Sequence, residues 1–107
     1  MNYELIERCE IELDPCKYID VVPSEMVDRF GEPTPVDVHY SSGGYLFEDD
    51  KGQIFSIHEN KNTTVVDPSK LLPEHLWEYD QPVEFCVCKE NDAELIDVDS
   101  FIKFICD

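Results

Sequence analysis

The chain has 107 residues, and 25 Asp and Glu against 8 Lys and Arg give it a formal net charge of −17. That length suits one domain, 1–107, and no Gly/Ser/Pro-rich stretch divides it. The charge argues against direct binding to nucleic acid or to an anionic membrane, since no basic patch is present to neutralise phosphates.

Hydrophobic residues make up 42% of the sequence, including six Phe, five Tyr and one Trp, which is enough apolar material for a packed interior without disulfide or metal support. The opening MNYELIERCEIE lacks the basic segment and apolar run of a secretory signal, and no run approaches the roughly 18 apolar residues of a membrane span. Five cysteines, Cys9, Cys16, Cys86, Cys88 and Cys106, form an odd set without a regular framework. They are expected to be thiols in a reducing compartment, and the chain reads as cytoplasmic.

In chain order, apolar Tyr3, Leu5, Cys9, Ile11 and Leu13 alternate with Glu4, Arg8, Glu10 and Glu12, which predicts one long amphipathic strand closed by Pro15. Leu5, Ile6, Cys9 and Leu13 would also fit a helix face. A short helix is predicted from Val22 to Gly31, with Pro23 in its first turn and Gly31 at its C-terminal cap. The Glu32-Pro33-Thr34-Pro35 stretch cannot continue it and reads as a stiff connector. Val36, Val38 and Tyr40 alternate as a half-exposed strand, with a turn over 41–44. Tyr45-Leu46-Phe47 and Ile54-Phe55-Ser56-Ile57 then flank a loop of hairpin length, Glu48 to Gly52.

Thr64, Val65 and Val66 extend the predicted sheet, and Asp67-Pro68 opens a helix that Pro73 splits. Trp77 reads as a core or rim anchor. Val83, Phe85 and Val87 alternate with Glu84, Cys86 and Cys88, predicting a strand with one apolar and one thiol-bearing face. A last helix, capped by Asp97 or Asp99, carries Val98, Phe101, Ile102 and Ile105 as an apolar stripe. The expected fold is α+β: a mainly antiparallel sheet of four to five strands, with two to three short helices packed on one face.

No motif for catalysis emerges. The four glycines form neither a P-loop nor a dinucleotide fingerprint, and the histidines lack the spacing of a zinc protease. Gly52 as the sixth position of a calcium loop would put Phe47, Lys51 and His58 at ligand positions, which destroys the oxygen cage. Cys86-x-Cys88 places two thiols on one side of a strand, roughly 6–7 Å apart along it. A zinc site would need further ligands from Cys9, Cys16, Cys106, His39 and His58, and no second short-spaced pair marks one. No enzyme activity, cofactor or metal is therefore expected.

The carboxylates remain as the functional signal. No acidic run exceeds Glu48-Asp49-Asp50, so the charge belongs to the folded body rather than to a tail. Duplex DNA carries a charge about every 1.7 Å, and distributed carboxylates could imitate it or complement a basic protein face. In size, charge and α+β pattern the chain resembles small acidic phage-encoded inhibitors of host defence, including anti-CRISPR and anti-restriction proteins. The resemblance implies a DNA-mimic inhibitor whose partner is a basic, nucleic-acid-handling protein. The expected contacts are Glu48, Asp49 and Asp50 at the hairpin tip and Glu10, Glu12 and Glu84 on outward strand faces, with Tyr40, Tyr45, Trp77 or Tyr79 as aromatic anchors. The alternatives are an immunity protein against a toxin or nuclease, an adaptor domain whose charge serves solubility, and a thiol or zinc protein using Cys86 and Cys88.

Overall fold

A computed structural model describes residues 2–7, 12–34, 43–59 and 73–107. The elements in chain order are β1 (Tyr3–Ile6), β2 (Asp14–Val21), α1 (Pro23–Phe30), β3 (Gly44–Asp49), β4 (Ile54–Glu59), α2 (Pro73–Leu76), β5 (Val83–Lys89) and α3 (Leu95–Cys106). The five strands form one antiparallel sheet in the order β1-β3-β4-β5-β2, which is the expected α+β architecture.

The hairpin β3–β4 forms where alternation and turn chemistry agree. Asp49 Oδ1 accepts from the backbone N–H groups of Lys51 and Gln53, both at 2.9 Å, and Gly52 supplies the left-handed φ of +82°. Register then pairs Tyr45 with Ile57 and Phe47 with Phe55, and carries Ile57 on to Val87 of β5. These side chains share one sheet face, and α1 and α3 pack on it through Met26, Val98, Phe101 and Ile105. Phe101 stacks on Phe55 at 5.1 Å between centroids, and Tyr3, Phe30 and Phe104 close the aromatic cluster around Phe47. The two helices are also tied together: the Arg29 guanidinium donates to the Phe104 carbonyl at 2.9 Å and to the Ile105 carbonyl, satisfying acceptors that the end of α3 leaves orphaned.

Three expectations are corrected. The single long N-terminal strand is replaced by two strands on opposite edges of the sheet, β1 beside β3 and β2 beside β5. Pro15 does not end the segment but lies within β2, next to a bulge between Pro15 and Lys17. An edge strand has one unpaired side, so the missing proline N–H costs nothing there. Finally, α3 starts earlier than expected. Its N-cap is Glu94, with no side-chain cap bond. Asp97 instead sits in the first turn and takes Lys51 at 3.3 Å, where the helix dipole also favours a carboxylate.

The helix Pro23–Phe30 matches its sequence signals, with Pro23 at its start and Gly31 (φ +84°) as C-cap. Trp77 packs edge-on against both Tyr45 and Phe85, in keeping with a core-rim anchor. The strands predicted over 36–40 and 64–66, and the start of the helix opened by Asp67, lie outside the described residues.

Candidate functional site

The face of the sheet turned away from α1 and α3 is chemically different. Register sets His58 of β4 directly opposite Cys86 of β5, and Ser56 opposite Cys88. All four are nearly inaccessible, with His58 at 4% exposure, Cys86 at 0% and Cys88 at 5%. Backbone approach makes this juxtaposition possible: Gly44 of β3 pairs with His58, and a Cβ on Gly44 would fall 2.3 Å from the Ile57 carbonyl oxygen and 2.6 Å from His58 Cα. Only glycine fits so close to a neighbouring strand.

The Cys86 and Cys88 sulfurs are 3.8 Å apart, and Cys88 Sγ lies 3.6 Å from His58 Nε2. The side chains therefore converge from the spacing of roughly 6–7 Å that two residues of strand would give. The other ring nitrogen, Nδ1, is 3.1 Å from the Glu59 carbonyl oxygen. A carbonyl only accepts, so Nδ1 carries the proton, and Nε2 faces the thiols. The hydrogen bond from Cys86 draws the Cys88 thiol down to about 5, against the opposing effect of burial and with help from His58 and Ser56. Cys86 moves up, held protonated by its bond to Cys88 and by burial. For His58, burial disfavours the charged ring, but the bonds to Cys88 and to the Glu59 carbonyl outweigh it and raise the imidazole overall. Cys88 is thus the more acidic of the two thiols, and Cys86 the one that keeps its proton.

Of the other thiols, Cys16 on β2 donates to the Val87 carbonyl at 3.2 Å, and Cys106 is exposed at the end of α3. Both are free, as are Cys86 and Cys88. Cys9 and His39 lie outside the described residues. Sequence spacing could mark the Cys86/Cys88 pair, but His58 joins it only through cross-strand register, which leaves no local signal.

The predicted contact carboxylates divide into distinct environments. Asp50 and Glu12 are exposed. Glu84 is exposed on β5, where it stands opposite Asp20 of β2. Glu48 is half-buried and stands opposite Glu4 of β1. Asp49 is 4% exposed and serves as the acceptor that shapes the hairpin turn. Glu10 lies outside the described residues. Among the expected aromatic anchors, Tyr45 is buried, its hydroxyl donating to the Gly31 carbonyl at 2.8 Å, Trp77 is half-buried, Tyr79 is 37% exposed, and Tyr40 is outside the described residues. Among the described residues the most exposed aromatic is Tyr18, at 58%, which is not among the expected anchors.

Four of the basic side chains among the described residues make local contacts. Lys17 pairs with Asp99 at 2.5 Å, Lys51 with Asp97, Arg29 caps α3, and Lys89 donates to the backbone carbonyls of Glu90 and Asn91. Glu4, Glu7, Glu12, Asp14, Asp20, Glu25, Asp28 and Glu32 meanwhile face solvent, as do Asp50, Glu78, Asp80, Asp92 and Glu94. Among the described residues no helix is long and apolar enough to cross a membrane. Comparison with known proteins adds no identification: no protein-family model matches the chain, and no curated protein gives a significant match.

Proposed function

We propose that this chain is a cytoplasmic binding protein whose carboxylate-covered body occupies the basic, nucleic-acid-binding surface of a partner protein, in the manner of a DNA-mimic inhibitor. The reading rests on one observation above all. Among the described residues, Lys17, Lys51 and Arg29 are engaged locally while like charges are set face to face, Asp20 against Glu84 and Glu4 against Glu48. Directly opposed like charges weaken a sheet. A cationic partner would relieve both pairs at once.

Tyr18 gives the patch at the β2 edge a centre. It lies two residues from Asp20 on the same strand, and its exposed ring would supply the desolvated anchor that carboxylates alone cannot. The carboxylates would steer the encounter and set its salt dependence. In this arrangement Asp49 shapes the hairpin tip, and Asp50 beside it meets the partner.

The test is capture of interacting proteins from the native host at low salt, followed by measurement of binding between purified components. Asp20→Lys with Glu84→Lys should weaken binding roughly tenfold or more and flatten its salt dependence. Duplex DNA should compete for the partner. A partner bound equally well by the charge-reversed protein, or bound together with its DNA, would overturn the reading. A nuclease toxin as the captured partner would assign the chain to immunity proteins.

A further inference from the structure

We propose that His58, Cys86 and Cys88 form a three-donor site for a single Zn²⁺ ion. The inference does not depend on any partner, although Tyr18 of the acidic edge stands opposite Cys86. It starts from the donor set, two thiols and an imidazole, the combination that selects zinc over magnesium or calcium.

The distances fit the same ion. Zinc–sulfur bonds of about 2.3 Å and zinc–nitrogen bonds of about 2.0–2.1 Å at tetrahedral angles place two sulfurs about 3.8 Å apart, and a sulfur and a nitrogen about 3.6 Å apart. Here Cys86 Sγ and Cys88 Sγ are separated by 3.8 Å, and Cys88 Sγ and His58 Nε2 by 3.6 Å. The three donor atoms all lie within 4.8 Å of one another, so the remaining edge closes with a small turn of the imidazole.

The surroundings are those of a prepared site. The donors sit on adjacent central strands whose register fixes them, and Gly44 lets a third strand close behind His58. The Glu59 carbonyl accepts the hydrogen bond from Nδ1–H and orients the ring, the outer contact that metal-bound histidines regularly make. Two thiolates with one Zn²⁺ are electrically neutral, which suits a buried position. Zinc takes both cysteines as thiolates, so binding displaces to solvent whatever protons the thiols still carry, and the net charge of −17 draws cations towards the protein. Among the described residues no fourth His, Cys or carboxylate joins the group, so the fourth position is open to water or another donor.

The experiment uses the full chain, reduced and stripped with a chelator, then titrated with Co²⁺ and afterwards with Zn²⁺. One equivalent of Co²⁺ should give a thiolate-to-cobalt charge-transfer band and the intense visible bands of a tetrahedral site. One equivalent of Zn²⁺ should bleach both and raise the thermal midpoint. Cys88→Ser and His58→Gln should each weaken uptake by roughly a hundredfold or more, while Cys106→Ser, which removes an exposed thiol, should bind as the parent does. Co²⁺ that keeps the weak spectrum of the hydrated ion would overturn the proposal, as would uptake unchanged by Cys88→Ser and His58→Gln. If those variants fail to fold, the cobalt spectrum of the unaltered protein decides the matter alone.

Discussion

The two faces of the sheet are made by alternate residues of the same strands, and they are held by different physics. Along β5, Phe85 and Val87 point to the helices, while Cys86 and Cys88 point the other way, and all four are buried. The helix face depends on apolar area and on rings that interlock without directional bonds. The thiol face depends on a few atoms held at bonding distance. Burial is therefore no guide to what a residue does in this protein, and the period of two along each strand separates structure from chemistry.

The comparison is sharpened first by cutting into the helix face. Phe101→Ala removes a fully buried ring stacked on Phe55 and should cost about 3–5 kcal/mol, measured by urea unfolding. A loss under about 1 kcal/mol would mean that the aromatic cluster does not carry the fold. The thiol face is tested by Gly44→Ala. The added methyl meets the backbone of β4 at Ile57 and His58, and the strands must part, at about 1–3 kcal/mol. Displacement of His58 should also weaken zinc uptake in this variant, whereas Phe101→Ala should leave the uptake of its folded fraction unchanged.

A third test uses pH. Burial pushes the Tyr45 phenol well above its ordinary value of 10.0, with a further push from Glu32. A raised folded pKa stabilises the fold fully below that ordinary value, and the contribution is lost as pH climbs towards the folded value, because the unfolded chain ionises first. Stability should thus fall above about pH 10. Tyr45→Phe gives up the bond to the Gly31 carbonyl, about 1 kcal/mol at neutral pH, and should flatten the alkaline fall. Part of the slope that remains would come from Tyr3, which burial and the nearby Asp49, Asp97 and Asp50 also raise, and part from Cys16, Cys86 and Tyr18, which are raised too.

The smallest effect belongs to the rims. Asp20→Asn and Glu4→Gln each remove one member of an opposed like-charge pair and should raise the thermal midpoint by roughly 1–4 °C. The gain should shrink as added salt screens the repulsion. A drop in midpoint would mean that these carboxylates serve the fold itself, and it would remove the main support for a surface shaped by a partner.

Sequence reading was reliable where cause and effect are local. The hairpin was legible because alternation on both arms meets Asp49 and Gly52 at the turn, and α1 because Pro23 and Gly31 mark its ends. The thiol-bearing face of β5 followed from alternation alone. What escaped depends on neighbours far along the chain. Pro15 ends a central strand but not an edge strand, and edge position is a property of the whole sheet. Tyr18 was missed with that strand. Asp49 belongs to a visible acidic run, but its side chain turns back to the backbone, which charge counting does not register. His58 meets Cys86 only because β4 and β5 pair in one particular register.

The order of strands also bears on how the molecule assembles. β2 is made early, yet its only partner among the described residues is the last strand, and 71 residues separate Cys16 from the Val87 carbonyl it contacts. Contacts of such high sequence separation must bear the entropy of closing a long loop before any pairing rewards them. During synthesis the β3–β4 hairpin can form as soon as it emerges, but β2 must wait for β5. Folding in milliseconds to seconds is the expected range for a sheet of this contact order, and β2 should be the last strand to dock.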